Sequence, residues 1–247
     1  MDNYAKAAKI LRDSSLTIAL TGAGVSVESG IPDFRSPTGL WEKYNPAEYA
    51  HIDAFRRDPR KIWNMIFELM GMTNSAQPNP AHLALAELED MGLLHSIITQ
   101  NIDNLHQRAG SKNVIEFHGN AEYLHCIYCG AQYSPEEFVV GTEPPVCKSC
   151  NEILKPSVIF FGETIPYDAL LESQKLANTA DAVLVVGTSA VVYPASSIPH
   201  IVKSRGGSVI EMNLEQTVLT SSITDVYLQG SAGETLPGLV DQLKKRE

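Results

Sequence analysis

No apolar run in this 247-residue chain is long enough to cross a bilayer. The longest purely apolar stretch is AVLVV, 182–186, against the ~20 residues a spanning helix needs. The N-terminal MDNYAKAAKILRDSS mixes charge with Ala and Ile at helical spacing and has no apolar h-region, so a secretory signal is not expected and the cytoplasm is the default location. An excess of positive charge is also missing. Nineteen Lys and Arg stand against 29 Asp and Glu, for a net charge of −10, the opposite balance to a protein that grips a phosphate backbone. Direct nucleic-acid binding and membrane association are therefore not expected, whereas a basic partner such as a lysine-rich peptide suits an acidic surface. Repeats and low-complexity tracts are absent, and cysteine is restricted to four residues. With 44% hydrophobic and 19% charged residues, the chain has the composition of a globular protein able to bury one sizeable core.

The positive signals begin with alternation. LTIAL (16–20), SIITQ (96–100), VIEFH (114–118), SVIFF (157–161), AVLVVG (182–187), SVIEMN (208–213) and DVYLQG (225–230) read as strands. Most are continuous apolar runs, as expected of parallel strands buried on both faces. Helical patterns lie between them, at 4–13, at 80–92 (with Leu83, Ala86 or Glu87, and Met91 on successive turns) and at 164–180. The pattern predicts an α/β, doubly wound parallel sheet. Two regions interrupt it. Residues 36–79 hold Trp41, Tyr44, Tyr49, Phe55, Trp63 and Phe67 without a good strand, which suggests a helical module or a loop. Residues 120–156 hold all the cysteines, with Pro144 and Pro145 between the pairs.

Cys126-x-x-Cys129 and Cys147-x-x-Cys150 are separated by 17 residues, the spacing of a four-thiolate zinc site built from two knuckles. The competing reading, two disulfides or four unrelated core thiols, is disfavoured in a reducing compartment. Four thiolates close the coordination shell, so such a zinc is structural. The ion does not need the neighbouring histidines. His125 reads as an exposed neighbour of a knuckle, whereas His118 ends an apolar run before Gly119 and Asn120, where a parallel sheet presents residues to a ligand crevice.

After the first strand, TGAGVSVESGIPDFRS offers Gly22, Gly24 and Gly30, but Val27 stands where the Gly-x-Gly-x-x-Gly fingerprint needs its third glycine, and no strand carries the acidic residue expected about twenty positions on. A plain NAD dehydrogenase fits poorly, although Gly22 and Gly24 would still let backbone amides approach a phosphate. Asp33 and Arg35 could pair with each other or face a charged ligand, and Phe34 could cover a ring. Gln100, Asn101 and Asp103 follow a buried strand, as site residues or as helix caps.

Taken together, GAGVSVESGIPDFR (22–35), TQNIDNLHQRAG (99–110), FHGN (117–120), the four cysteines, KPSVIFFGE (155–163), VVGTSAVVYP (185–194) and MNLE (212–215) resemble the sirtuins, NAD-dependent protein-lysine deacylases, in their bacterial or archaeal single-core form, over nearly the whole chain. The resemblance implies a Rossmann-like NAD-binding domain of residues 1–36, 80–119 and 157–247, with a small domain made of a helical module, 37–79, and a zinc ribbon, 120–156. It implies NAD in the cleft between them. Gly22, Ala23, Gly24 and Val27 would meet the cofactor, as would Asp33, Phe34 and Arg35, with Arg35 and the Ala23 loop on the phosphates and Phe34 over the nicotinamide end. Gln100, Asn101, Ile102 and Asp103 would follow, Asp103 holding the carboxamide. Gly187, Thr188 and Ser189 would line the cleft, Asn213, Leu214 and Glu215 would meet the adenosine half, and Ala232 the adenine.

In that family the acyl oxygen of the substrate attacks the nicotinamide ribose, nicotinamide leaves as an alkylimidate forms, and a ribose hydroxyl then attacks the imidate carbon. His118 is implied as the base for that attack, and Asn101 and Asp103 complete the catalytic set. The products would be free lysine, nicotinamide and O-acetyl-ADP-ribose. An extended acyl-lysine peptide would add as a strand between Gly162-Glu163 and Val192-Tyr193, its acyl chain entering a tunnel lined by Phe34, Ile159 and Phe161; strand alternation would let only one face of SVIFF reach that tunnel. Relatives that prefer succinyl- or malonyl-lysine carry a Tyr-x-x-Arg pair that aligns with Ile66 and Leu69 here, so a preference for acetyl or longer neutral acyl groups is expected. Val27 replaces a small or hydroxyl residue of many relatives, weakening NAD binding modestly. The same first half-reaction would serve ADP-ribosyl transfer or NAD hydrolysis, and a non-catalytic acyl-lysine reader is a third possibility. No obligate partner or terminal extension is evident.

Overall fold

Five-residue runs with every side chain buried need cover on both faces, and the computed structural model shows how they obtain it. It describes residues 2–121, 123–138 and 143–245. Glu122 and residues 139–142 of the expected zinc ribbon therefore lie outside the described residues, as do Met1, Arg246 and Glu247. The first half runs α1 (Asn3–Asp13), β1 (Thr17–Thr21), a 3-10 turn at Ala23–Ser29, α2 (Leu40–Lys43), α3 (Pro46–Tyr49), α4 (Ile52–Arg57), α5 (Pro59–Ser75), α6 (Pro80–Asp90), β2 (Ser96–Thr99), α7 (Leu105–Arg108) and β3 (Val114–Glu116). The second runs β4 (Leu124–His125), β5 (Gln132–Tyr133), β6 (Lys155–Pro156), α8 (Tyr167–Thr179), β7 (Ala182–Val186), α9 (Ser197–Ser204), β8 (Ser208–Asn213), β9 (Val226–Gln229) and α10 (Ala232–Lys244).

Six strands form one sheet in the order β3-β2-β1-β7-β8-β9, every pair parallel. Alternate residues feed opposite cores. Ala19, Leu184, Val186, Ile210 and Met212 pack with α1, α6 and α10, while Ile18, Leu20, Val183, Val185 and Val209 pack with α8 and α9. The chain leaves β1 toward β2 and β3 and returns at β7 on the other side, so the β1–β7 boundary is the topological switch point where a doubly wound sheet opens a crevice.

A third core joins α4 and α5 to the cysteine region: Phe55, Ile62 and Trp63 pack with Leu124, Cys126, Cys147 and Leu154. The Trp63 indole Nε1 donates to the Leu154 carbonyl at 2.8 Å. The short antiparallel sheet β5-β4-β6 lies here.

Three local expectations need correction. Residues 157–161 do not form a sheet strand; they run as an extended segment whose amides bond to scattered partners, Ile159 to the His118 carbonyl and Phe161 to that of Ala50. Val158 and Phe160 are buried in the third core, which is why the run is apolar. The buried residues of α6 are Ala81, His82, Ala84, Leu85, Ala86 and Leu88, so of the positions read at helical spacing Ala86 is buried, while Leu83 is 53% and Met91 39% exposed. The i, i+3, i+4, i+7 stripe of two alanines and two leucines packs with α10. Finally, β3 ends at Glu116, so His118 lies two residues beyond the strand.

Candidate active site and metal centre

The two Cys-x-x-Cys segments fold alike. Each second cysteine is followed by a residue with positive φ, Gly130 (75°) and Asn151 (67°), and that residue's amide bonds back to the carbonyl of the first cysteine, Cys126 at 3.0 Å and Cys147 at 2.9 Å. Glycine and asparagine tolerate this left-handed turn. The four Sγ atoms lie within 4.8 Å of one another, Cys126 to Cys150 at 3.4 Å and Cys129 to Cys147 at 3.6 Å. Those separations are far beyond the ~2.05 Å of a disulfide and near the ~3.8 Å edge of a tetrahedron with 2.3 Å zinc–sulfur bonds. The donor set fits one structural zinc, and the disulfide reading is excluded. His125 takes no place in it. It is partly buried on β4 between Gln132 and Lys155, rather than exposed as its position in the sequence suggests, and burial lowers its pKa.

At the switch point a cleft of about 1380 Å³ opens. Its walls include each of the residues singled out for cofactor or substrate, from Gly22 on the first turn to Ala232 at the start of α10. The turn after β1 is pressed against the turn after β7. A Cβ on Gly24 would lie 2.8 Å from the Gly187 Cα, and one on Gly187 (φ 58°) would lie 2.4 Å from the Val25 nitrogen. The Gly22 and Gly24 amides are already spent, on the carbonyls of Val186 (3.1 Å) and Gly187 (2.8 Å). Glycine is needed here so that two backbones can touch, and these two amides are not available to a phosphate as the sequence suggested.

Beside this turn, Ser26 organises the polar floor. Its hydroxyl donates to Asp103 Oδ2 at 2.6 Å and accepts from Asn101 Nδ2 at 3.1 Å. His82 Nε2 stands 3.4 Å from the same oxygen. The Asn79 amide donates to His82 Nδ1, so the Nε2 of that neutral ring carries the hydrogen. Asp103 Oδ1 accepts from the Leu105 amide at 3.0 Å, so the carboxylate holds the first residue of α7 from one position before the N-cap, Asn104, while its residue lines the cleft. Asn101 Nδ2 also reaches the Gly22 carbonyl at 3.2 Å. Gln100 bonds to Thr188 Oγ1 at 3.0 Å and Asn213 to the Thr188 carbonyl at 2.9 Å, tying three strand ends together.

His118 Nδ1 lies 3.1 Å from the Gln100 carbonyl, which can only accept, so the hydrogen sits on Nδ1 and the Nε2 lone pair is left for the cleft. Burial lowers its pKa from the ordinary 6.5, with the Gln100 carbonyl partly opposing the shift. The ring is thus neutral at pH 7, as a general base must be. Asp33 and Arg35 do not pair. Asp33 Oδ1 accepts from the amides of Arg35 and Ser36, and among the described residues no group takes the exposed Arg35 guanidinium.

The Sir2 family profile matches residues 22–194. The chain belongs to the Sir2 family. The NAD-dependent protein deacylase of Pyrococcus furiosus is 50% identical over 242 residues, 96% of each chain. A solved Sir2 homologue–NAD complex superposes with a TM-score of 0.90 at 46% identity, covering 99% of this chain and 94% of that one. A Sir2 protein bound to a myristoylated histone peptide superposes with a TM-score of 0.83 at 41% identity, covering 98% and 97%.

For a Sir2 protein the groups left unengaged on the cleft wall are telling: Asn101 Oδ1, His118 Nε2 and Arg35 have no partner among the described residues. An acceptor, a base and a fixed cation are a chemically apt set for a dinucleotide, so the site fits NAD. Ser26 and His82 escaped notice in the sequence. Ser26 is one of several small residues in a glycine turn, and His82 lies on a helix with no motif around it to mark a site. Glu211 was also missed. Fully buried on β8, it accepts from Thr217, Thr220 and Thr224 at 2.5–2.8 Å and so holds down the loop carrying Leu214 and Glu215. Its only trace in the sequence is an acidic residue inside an apolar strand.

Proposed function

We propose that this chain is an NAD-dependent protein-lysine deacetylase that transfers the acyl group to ADP-ribose, with His118 as its base. The single observation that carries the reading is the His118 ring. It is neutral, its tautomer is set by the Gln100 carbonyl, and its Nε2 faces the same cleft as Asn101 and Asp103. NAD, when bound, supplies an electrophilic ribose carbon and the hydroxyl that receives the acyl group. His118 takes the hydroxyl proton at Nε2. Asn101, its Nδ2 committed to Gly22 and Ser26, offers Oδ1 to a ribose hydroxyl or water. Asp103, held by Ser26 and the Leu105 amide, presents its remaining lone pairs to the carboxamide. Phe34 and Ile102 close the apolar side, and the peptide lies between Gly162-Glu163 and Val192-Tyr193.

We assign residues 1–36, 80–119 and 157–247 to the NAD-binding domain, and 37–79 with 120–156 to the small domain; the core shared by α4, α5 and the cysteine region supports joining the last two segments, and Val158 and Phe160 reach into it from beyond the boundary. Neutral acyl groups are favoured over succinyl, because Met65, Ile66, Leu69 and Met70 line the cleft without a cation among them. No helix among the described residues is long and apolar enough to cross a membrane, and four reduced thiols suit the cytoplasm.

The test is incubation with an acetyl-lysine peptide, with and without NAD, followed by mass spectrometry, with His118→Ala alongside. Deacetylation should require both NAD and His118 and should yield O-acetyl-ADP-ribose. Consumption of NAD with the acetyl group left in place would overturn the deacetylase reading.

A further inference from the structure

Lys155 is completely buried, a costly position for an ammonium unless every donor is met. Its Nζ donates to the carbonyls of Pro156 (3.1 Å) and Val158 (2.5 Å) and to Glu163 Oε2 (2.9 Å). An ammonium has three hydrogens, so all are used. The Phe160 ring centroid lies 4.4 Å from the same nitrogen. Glu163 Oε2 also accepts from the Phe160 amide at 2.7 Å. One buried cation therefore holds both ends of the segment 155–163.

The rest of the segment is held by scattered bonds, including Ser157 to the Tyr123 carbonyl at 2.8 Å and to the Asn120 carbonyl, and the Glu163 amide to the Phe160 carbonyl at 3.1 Å. Beyond β6 it is neither strand nor helix; Ile159 hangs on the His118 carbonyl, and Phe161 exchanges bonds with Ala50 and Ile52 at 2.8 and 2.9 Å. Val158 and Phe160 turn into the third core, while Ile159 and Phe161 are more open and line the cleft, followed by Gly162 and Glu163. Behind Lys155, β6 pairs with β4, and β4 leads directly into Cys126. Lys155 thus connects, through the β6–β4 pairing, the strand that enters the metal centre with the edge proposed to receive the peptide. None of its partners is among the residues assigned to the dinucleotide.

We infer that Lys155 is a positioning residue for the acyl-lysine peptide: through Glu163 and two carbonyls it sets the edge 159–163, and it has no part in holding NAD. This rests on the deacylase reading. A merely structural role would lower the amount of folded enzyme and leave both Michaelis constants alone, so the split between the two constants is the test. Initial rates are measured for the wild type, Lys155→Met and Glu163→Gln, varying an acetyl-lysine peptide at saturating NAD and then NAD at saturating peptide. Lys155→Met should raise the peptide KM about tenfold and move the NAD KM less than about twofold. Glu163→Gln keeps an acceptor for the Phe160 amide while weakening the ion pair, and should raise the peptide KM about threefold. It carries the test if Lys155→Met does not fold. Equal changes in both constants, or a lowered kcat with neither constant changed, would overturn the inference while leaving the deacylase reading intact. A wild-type enzyme inactive on acetyl and longer acyl peptides would overturn both.

Discussion

Acid should unfold this protein through two histidines that the fold keeps neutral. His106 is 1% exposed; its Nε2 donates to Thr21 Oγ1 at 3.0 Å, because the Thr21 hydrogen goes to Thr99, and its Nδ1 has no partner. A second proton there would put an unpaired charge in the core, and burial together with the neighbouring His82 holds the pKa at about 3. His82, fully buried, is held at about 4 by burial, with Asp103 pulling the other way. Both folded values lie below the 6.5 of an unfolded histidine, so the unfolded chain binds more protons. Stability is full above about pH 6.5 and falls as the pH drops toward 4 for His82 and 3 for His106. At pH 5 each histidine has lost ~2 kcal/mol, 1.5 units at 1.36 kcal/mol per unit, so the pair forfeits about 4 kcal/mol of a typical 5–15. The assay is urea unfolding of the zinc-loaded protein at pH 7.5, 6 and 5. His106→Gln, whose amide can still donate toward Thr21, should be less stable at pH 7.5 but should lose only about half as much between pH 7.5 and 5. Release of zinc by acid would affect both proteins alike and cancels in the comparison. Identical pH slopes for wild type and His106→Gln would refute the reasoning.

Other outcomes follow from the same geometry. His118→Asn should lower kcat by a factor of about 10² or more with little change in NAD affinity, read by single-turnover kinetics and by calorimetry. Below its lowered pKa the wild-type kcat/KM should decline as Nε2 becomes protonated, with the acid limb lying under pH 6.5 and absent from the residual activity of the Asn variant. Cys147→Ser should reduce bound metal from one zinc per chain toward none by elemental analysis and melt the region around Trp63, seen as a shift in tryptophan fluorescence. Installing Tyr at Ile66 and Arg at Leu69 together should raise desuccinylation at least about tenfold relative to deacetylation in a peptide competition assay; no change would place the acyl end elsewhere in the cleft.

Strand positions were the most legible feature of the sequence because burial on both faces leaves a continuous apolar run that nothing else in this chain imitates, apart from residues 157–161. That run is apolar for a different reason. Val158 and Phe160 fill the core around Phe55 and Trp63, and the more open Ile159 and Phe161 line the cleft. A buried strand and a buried extended segment have the same composition, and only hydrogen-bond partners distant in sequence tell them apart. The α6 error has a similar origin. Leu83 and Met91 recur at helical spacing, but the side packed with α10 carries Ala81, Ala84, Leu85 and Leu88, and Leu83 is left in solvent. The cysteines were readable because thiolate spacing reports on local turns alone. His125 was misjudged because its burial comes from pairing with β6, thirty residues away in sequence.

The cleft residues expose a sharper distinction. Their identities came from long ordered motifs, and each lines the cavity, yet the local chemistry first assigned to Gly22 and Gly24 does not hold. Their amides close the sheet against Val186 and Gly187 and have nothing left for a phosphate. What the glycines supply is the absence of two β-carbons where the turns after β1 and β7 meet. This contact places Ser26 within reach of both Asn101 and Asp103, and those two residues come from the loop after β2, on the opposite side of β1 from β7. Asn101 Oδ1 and the Asp103 carboxylate are therefore oriented by a serine whose own position depends on two backbones touching. A side chain at position 24 would disturb the placing of Asn101 and Asp103 without removing any polar side chain from the cleft wall, so what this motif needs from its glycines is the missing β-carbon and not the free amide.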